Sequence, residues 1–307
     1  MYKLALIVNL VIIILSAIVA IAFYTLRERK FLGYFQYRKG PNKPSIIALI
    51  TPIADAAKLF IKEEKFITLR NIKHYLIAPI IIIVTALLIW PLFPHLYQLF
   101  FIKLGILFFL SVTRINIYAT FIAGWRSRSK WRLLGALRGV AQTISYEVTL
   151  SLIIICFIIH STSINLLRIL QNQYSWVIII LLPLFLSWII SILAETHRAP
   201  FDFREGESEL VSGFNIEYSR SLFALIFIAE YINILLMSII TVIVTIRNTY
   251  NRELILKTSI LSIIFIWTRG ALPRLRYDSL IVTLWKKILP LRLIFLVIIT
   301  PLISLLS

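Results

Sequence analysis

The chain has 307 residues, 60% of them hydrophobic and only 15% charged, and its 32 Lys and Arg against 14 Asp and Glu give a net charge of +18. Soluble domains carry about 25% charged residues, so a chain this poor in charge belongs in lipid rather than in water. The basic residues gather between long apolar runs instead of forming one compact basic face, which assigns the charge to membrane topology and argues against nucleic acid as a partner.

Eight stretches are long and apolar enough to cross a bilayer, at about 4–26, 75–94, 104–125, 139–160, 174–194, 219–246, 254–272 and 288–306. The first could pass for a signal peptide, because Lys3 precedes it and Ala20-Ile21-Ala22 resembles a cleavage site. Arg27, Arg29 and Lys30 follow it, however, and a cluster of that sign retains its flank on the inner side, so it reads as a first helix that stays. The loops at about 27–73, 126–138, 195–218 and 269–287, with their flanks, hold 25 of the Lys and Arg residues against six on the opposite side, and Arg114 falls within a span. The positive-inside rule turns these four loops to the matrix or cytoplasm and both termini to the other side. Without an internal repeat or a low-complexity linker, residues 1–307 form a single membrane domain. The expected fold is an all-α polytopic membrane protein, with about eight transmembrane helices and an amphipathic interfacial helix in the first inner loop.

That interfacial helix opens at Pro52. Ile53, Ala56, Ala57 and Phe60 fall on one face and Asp55, Lys58 and Lys62 on the other, as in a helix lying in the membrane surface. The spacing suits a simple anchor or one wall of an entrance for a lipophilic molecule. Two acids, Glu147 and Glu230, lie inside apolar spans, where an ionisable group costs several kcal/mol unless paired, protonated or hydrated and by default marks an ion or proton path. Arg114 is a possible partner for either. The segment 194–218, AETHRAPFDFREGESELVSGFNIEY, holds six acids, Glu195, Asp202, Glu205, Glu207, Glu209 and Glu217, interleaved with Phe201, Phe203, Leu210, Val211 and Phe214. Apolar companions make it a packed loop, and packed like charges share protons. Gly135 and Gly139 form a GxxxG pair that reports close packing at most. The single cysteine, Cys156, excludes a Cys-ligated iron–sulfur cluster in this chain, the four histidines are dispersed, and no glycine-rich dinucleotide or phosphate loop is present.

The runs ERKFLGY (Glu28 to Tyr34), RKGPNK (Arg38 to Lys43), GALRGVAQTISYEVTL (Gly135 to Leu150), EGESELVSGFNIEY (Glu205 to Tyr218) and RYD (Arg276 to Asp278) resemble, in the same order, the subunit 1 family of respiratory complex I. The resemblance implies eight transmembrane helices at the junction of the peripheral and membrane arms, in contact with other subunits of both arms and with membrane phospholipids. It implies a tunnel for ubiquinone, the substrate, and the start of a proton path coupled to quinone reduction, with FMN and the iron–sulfur clusters in partner subunits. Carried over by residue, Arg29, Arg38, Asp55, Phe60 and Arg198 belong to the quinone tunnel. Tyr146, Glu147, Glu195, Asp202, Glu205, Glu207, Glu217 and Glu230 belong to the proton path. Metal ligands and residues of covalent catalysis are not implied.

The chain departs from the family pattern at His197, where Asn is common, and at Arg204, where the residue is usually small and where a cation could pair with Glu205 or Glu207. Arg114 and Asn116 likewise fall in a stretch that is usually apolar or small. Composition rich in Ile, Lys, Asn, Phe and Tyr favours an organellar origin and the mitochondrial inner membrane over a bacterial one, with both termini in the intermembrane space. Two other functions fit parts of the pattern: an ion antiporter acting alone, suited by Glu147 and Glu230, and a structural anchor with no group taking part in turnover.

Overall fold

A computed structural model describes residues 2–62, 72–92, 103–125, 130–173, 176–204, 218, 220–246 and 251–306. Among them the secondary structure is helical, and helix occupies each of the eight apolar stretches. The long elements are α1 (Tyr2–Phe35), α3 (Ile72–Ile89), α4 (Gly105–Trp125), α5 (Lys130–Ser161), α9 (Arg220–Thr245), α10 (Asn251–Ala271) and α12 (Leu289–Leu306). Shorter ones are α2 (Thr51–Ile61), α6 (Leu166–Asn172), α7 (Val177–Ile180), α8 (Leu182–Glu195) and α11 (Tyr277–Thr283). Six helices among the described residues are by themselves long and apolar enough to span a bilayer. The protein is an all-α polytopic membrane protein.

The packing follows from which face of each helix is apolar and small. The α3 helix packs on α4 and α9, α4 on α5, and α5 on α8 and α12, while α1 lies across α9 and α10. Val8, Val11, Ile12, Leu15 and Val19 of α1 and Ile294, Val297 and Ile298 of α12 point away from the bundle. A row of bare aliphatic side chains of this kind is stable where the solvent is hydrocarbon. At the centre Trp188 is fully buried, its ring edge-on to Phe157 at 5.8 Å.

Three elements differ from the sequence expectation, each for a local reason. The first helix runs on to Phe35 instead of ending near residue 26; its 34 residues reach about 51 Å, well past a hydrocarbon core of about 30 Å. The fifth stretch, 174–194, is not one helix. It breaks at Leu181 (φ −118°, ψ 43°), because Pro183 can neither donate to the preceding turn nor tolerate its carbonyl. Finally, α5 begins at Lys130, inside the expected loop at 126–138. The last span is entered from α11 through one wide turn, Leu284–Ile288, in which the Leu289 amide bonds Leu284 O five residues back. That wide turn makes room for Pro290, which follows it directly.

The interfacial helix forms as the spacing predicts, with Pro52 in its first turn. Only Pro52 is buried; Ile53, Phe60 and Ile61 are open, together with Tyr34, Tyr37, Ile46 and Ile50 in the approach to it. The result is a broad apolar surface carried by α2 and the segment before it, of the kind that docks into lipid or onto a partner.

The α4–α5 contact depends on Gly124. A Cβ there would lie 2.0 Å from the Ala136 Cβ, so only glycine permits the approach. Gly124→Val is therefore expected to cost about 1–3 kcal/mol, as overpacking does. The change would be read as a lower melting temperature and less assembled protein in membranes. Gly105→Ala is the control, since its Cβ would meet Leu92 at an ordinary 3.5 Å, and an equal loss in both variants would count against this contact.

Candidate functional site: a row of charges inside the bundle

The site is organised by the way α8 ends. The amide of His197 bonds Ala194 O at 3.3 Å and that of Arg198 bonds Leu193 O at 3.1 Å, with His197 in the left-handed region at φ 50°. These are the two bonds and the left-handed residue of a Schellman cap. Among side chains larger than glycine, Asn, Asp and His tolerate that conformation best. A histidine at this position is therefore compatible with the cap. The cap turns the chain back, so that residues 198–204 lie against α5, α9 and α10.

Contacts on two sides pin the turned segment. Gln142, fully buried on α5, donates from Nε2 to Ala194 O at 2.9 Å and to Phe201 O at 2.8 Å. On the other side the Leu275 amide bonds Pro200 O at 3.2 Å, Arg274 donates to Asp202 O, and the Tyr277 ring meets Phe203 edge-on at 5.9 Å. The THRAPFDF run and the region around RYD, far apart in the chain, thus form one layer.

Glu28 of α1 is the hub. It is 3% exposed and accepts from Arg198 Nη1 at 2.5 Å, from Arg269 of α10, and from the Tyr231 hydroxyl of α9 at 2.7 Å. The Arg198 guanidinium also stacks over the Tyr231 ring at 4.8 Å. Burial is the strongest single influence and works against the charge of Arg198, but Glu28 together with Tyr231 and Tyr24 outweighs it and raises its pKa above the ordinary value. Neither Glu28 nor Arg269 was singled out by sequence reasoning. The Glu28 signal was masked by Arg27, Arg29 and Lys30, which made the run read as a retention cluster alone.

Next to this hub, Arg204 pairs with Glu230 of α9. Arg204 is buried, and its aliphatic stem lies over Gly139, where a Cβ would come within 3.2 Å of it. The second glycine of the GxxxG pair therefore seats this arginine. A cavity of about 70 Å³ lies between the two clusters and is lined by His197, Arg198, Asp202, Glu230, Tyr231 and Arg269 among others. Burial first, and the Arg204 charge after it, hold the His197 imidazole well below its ordinary pKa.

Glu147 of α5, largely buried, faces the exposed Arg114 of α4 at 3.7 Å, the pairing left open by the sequence. Glu195, the last residue of α8, lies within electrostatic reach of Glu147. Tyr146 is buried, 6.0 Å from the Phe201 ring. Arg292, counted from the sequence among the inner-side cations, instead lies wholly buried in α12 and donates to Ser187 O at 2.7 Å. Its position four residues beyond the wide turn carries the side chain into the α5–α8 interface, which linear charge counting could not register.

Of the residues assigned to a tunnel, Arg29 and Asp55 pair at 2.7 Å and join α1 to α2 on the open surface. Phe60 lies exposed at the far end of α2, and Arg38 donates to Gln36 at 2.9 Å in the loop between them. Arg198 is not with this group; it belongs to the Glu28 cluster. Glu205, Glu207, Glu209 and Glu217 lie outside the described residues. Among the described residues, His, Cys, Asp and Glu form no group suited to a metal ion.

Long apolar helices with paired charges among them, the Glu28 and Arg204 clusters buried, define a polytopic membrane protein with ionisable groups in its interior. The sequence matches the NADH dehydrogenase family over residues 8–300. It is 50% identical over 297 residues to NADH-ubiquinone oxidoreductase chain 1 of Aedes aegypti, covering 96% of this chain and 95% of that relative. The corresponding protein of Anopheles gambiae is 50% identical over 287 residues (93% and 91% of the two chains), and that of Sapajus apella 46% over 295 (93% of each). The chain belongs to the NADH dehydrogenase family.

Two outcomes follow from the clusters. Glu28→Gln would leave the Arg198 guanidinium buried against a neutral amide, and removing one partner of a buried pair costs about 3–5 kcal/mol. Thermal melting of the solubilised protein should fall accordingly, and an unchanged melt would remove Glu28 from its central place. The second concerns pH. The unfolded imidazole takes a proton near about pH 6.5, whereas the folded one resists it until well below. His197 therefore contributes stability that is complete above that value and lost as pH falls beneath it. His197→Asn keeps the left-handed cap but cannot titrate, so between pH 8 and 5 the parent should lose more melting temperature than the variant. Parallel losses would show that His197 is not the group responsible.

Proposed function

We propose that this chain is the membrane subunit of a proton-translocating NADH:ubiquinone oxidoreductase, forming the ubiquinone access tunnel and the first part of the proton path. Flavin and iron–sulfur clusters belong to partner subunits, and this chain, a single membrane domain, supplies passage and coupling. The relatives named above, each an NADH-ubiquinone oxidoreductase chain 1, support the assignment to the enzyme. The observation that carries the finer reading is the succession of charges through the bundle. It starts at Arg29 and Asp55 on the amphipathic α2, passes through adjacent Glu28 to Arg198, Arg269 and Tyr231, and continues by Glu230 and Arg204 to Glu195, Glu147 and Arg114.

Such a row suits electrostatic coupling. Reducing a quinone to a quinol adds two electrons and two protons, and the transient charge acts over several ångströms where the medium is poorly polarisable. A carboxylate beside that charge responds by binding or releasing a proton, and the next pair in the row responds in turn. Phe60 and Ile53 on the open face of α2 offer an apolar threshold for an isoprenoid tail. Arg38 and the acids Asp202, Glu205, Glu207 and Glu217 complete the reading, with Tyr146 beside the path. The basic loops face the matrix, and both termini the intermembrane space, of the mitochondrial inner membrane.

The test is photo-crosslinking of the assembled enzyme in native membranes with a short-chain azido-ubiquinone, mapped by peptide mass spectrometry. Label on residues 29–60 or 194–218, displaced by ubiquinone, is the expected result. Label confined to other subunits would withdraw the tunnel and leave the chain as an anchor with a charged interior.

A further inference from the structure

On the side of Glu195 away from the Glu28 cluster, α3, α4 and α9 enclose a second, smaller cavity of about 20 Å³. Its polar lining consists of Glu195, Asn116 and Thr113 of α4, Thr85 of α3 and Asn233 of α9; the rest is apolar. Two of these groups are buried without a hydrogen-bond partner, the Oε2 atom of Glu195 and the Oδ1 atom of Asn116. Both are acceptors. The two threonine hydroxyls do not supply donors either: Thr85 donates to Ile82 O at 2.9 Å and Thr113 to Leu110 O at 3.0 Å, along their own helices. Their oxygens therefore turn only lone pairs toward the cavity.

Two orphaned acceptor oxygens in one cavity call for a molecule that donates, whatever the amide groups of Asn116 and Asn233 donate to elsewhere. Room for about one water begins at roughly 10–15 Å³ on this measure, and a buried water is held by two to four polar partners. An orphaned carboxylate oxygen from α8 and an orphaned amide oxygen from α4, lining one cavity, match the two hydrogens of a single water. We propose that this cavity is a hydration site in which one water donates to Glu195 and to Asn116, making Asn116 the positioning residue for Glu195. The inference rests on the reading of Glu195 as a member of the proton path. With Arg114 paired to Glu147, one helix, α4, serves both acids.

The charged surroundings of Glu195 are Glu147 on α5, paired with Arg114 of α4, and the segment after α8, where His197 and the Arg204–Glu230 pair stand. The walls from α3 and α9 bring only Thr85 and Asn233 to the cavity as polar groups. Removing the water strips one hydrogen bond from the charged form of Glu195 and leaves the neutral form less affected. The proton affinity of Glu195 must then rise.

The experiment uses the assembled oxidoreductase carrying Asn116→Leu, Asn116→Ser or Glu195→Gln. A map fine enough to resolve ordered water is combined with proton pumping and quinone reduction measured across pH. We expect density within hydrogen-bond distance of both Glu195 and Asn116 in the parent and its loss in Asn116→Leu. The pH profile of pumping should move up by about one unit in Asn116→Leu, the scale of one lost hydrogen bond to a charge. Asn116→Ser, which keeps an oxygen and the space, should restore the parent profile. Absence of the density in the parent overturns the site. Density with an unmoved profile in Asn116→Leu, while Glu195→Gln still impairs pumping, overturns the positioning role and leaves Glu195 on the path. Normal pumping in Glu195→Gln removes the reading on which the inference stands, and the inference with it.

Discussion

A carboxylate taken out of water must find compensating charge, and in this protein Glu28 finds it on three other segments at once. Arg198 comes from the turn after α8, Tyr231 from α9 and Arg269 from α10, so satisfying one acid on α1 fixes where all of them sit. The cost of leaving any of these groups unpaired is several kcal/mol, comparable with the net stability of a whole domain. Packing of aliphatic faces brings the helices together but discriminates poorly among their rotations and offsets. The charges discriminate, because only one arrangement satisfies them.

From that hub the remaining features can be ordered by distance. The Arg204–Glu230 pair lies beside it, separated from it by a polar cavity that Asp202 and His197 also line. The interior acids Glu147 and Glu195 come next, attended by Arg114 and Asn116 of α4. In the other direction Arg29, the next residue after Glu28, pairs with Asp55 and so connects the buried network to a helix that lies open to lipid or to a partner. The buried members of this network interact in a medium that screens them weakly, the exposed pair at α2 less so.

Gly139 and Gln142 illustrate how a helix that looks merely apolar can carry such a network. They fall within one turn of α5, one seating the stem of Arg204 and the other bonding the backbone on both sides of the α8 cap. Neither contributes a charge. Both decide where the charges of the neighbouring segment stand, which is why residues with no titratable group belong to the functional description.

Hydrophobicity and charge bias along the chain determined the membrane class, the helical stretches and the interfacial helix at Pro52, because a bilayer imposes length and polarity locally, residue by residue. The same local rules picked out Glu147 and Glu230 as anomalous. Tertiary structure decided what those acids meet: Arg114 for one and Arg204 for the other. It also brought Glu28 into the centre and Arg292 into the core, and it broke the fifth helix ahead of the α8 cap, whose turn aims Arg198 at its partner. A pairing between segments as distant as residues 28, 198 and 269 leaves no periodic trace in any of them. The physical reason is that the cost of an unpaired buried charge is paid by the folded arrangement as a whole and not by any single stretch of sequence.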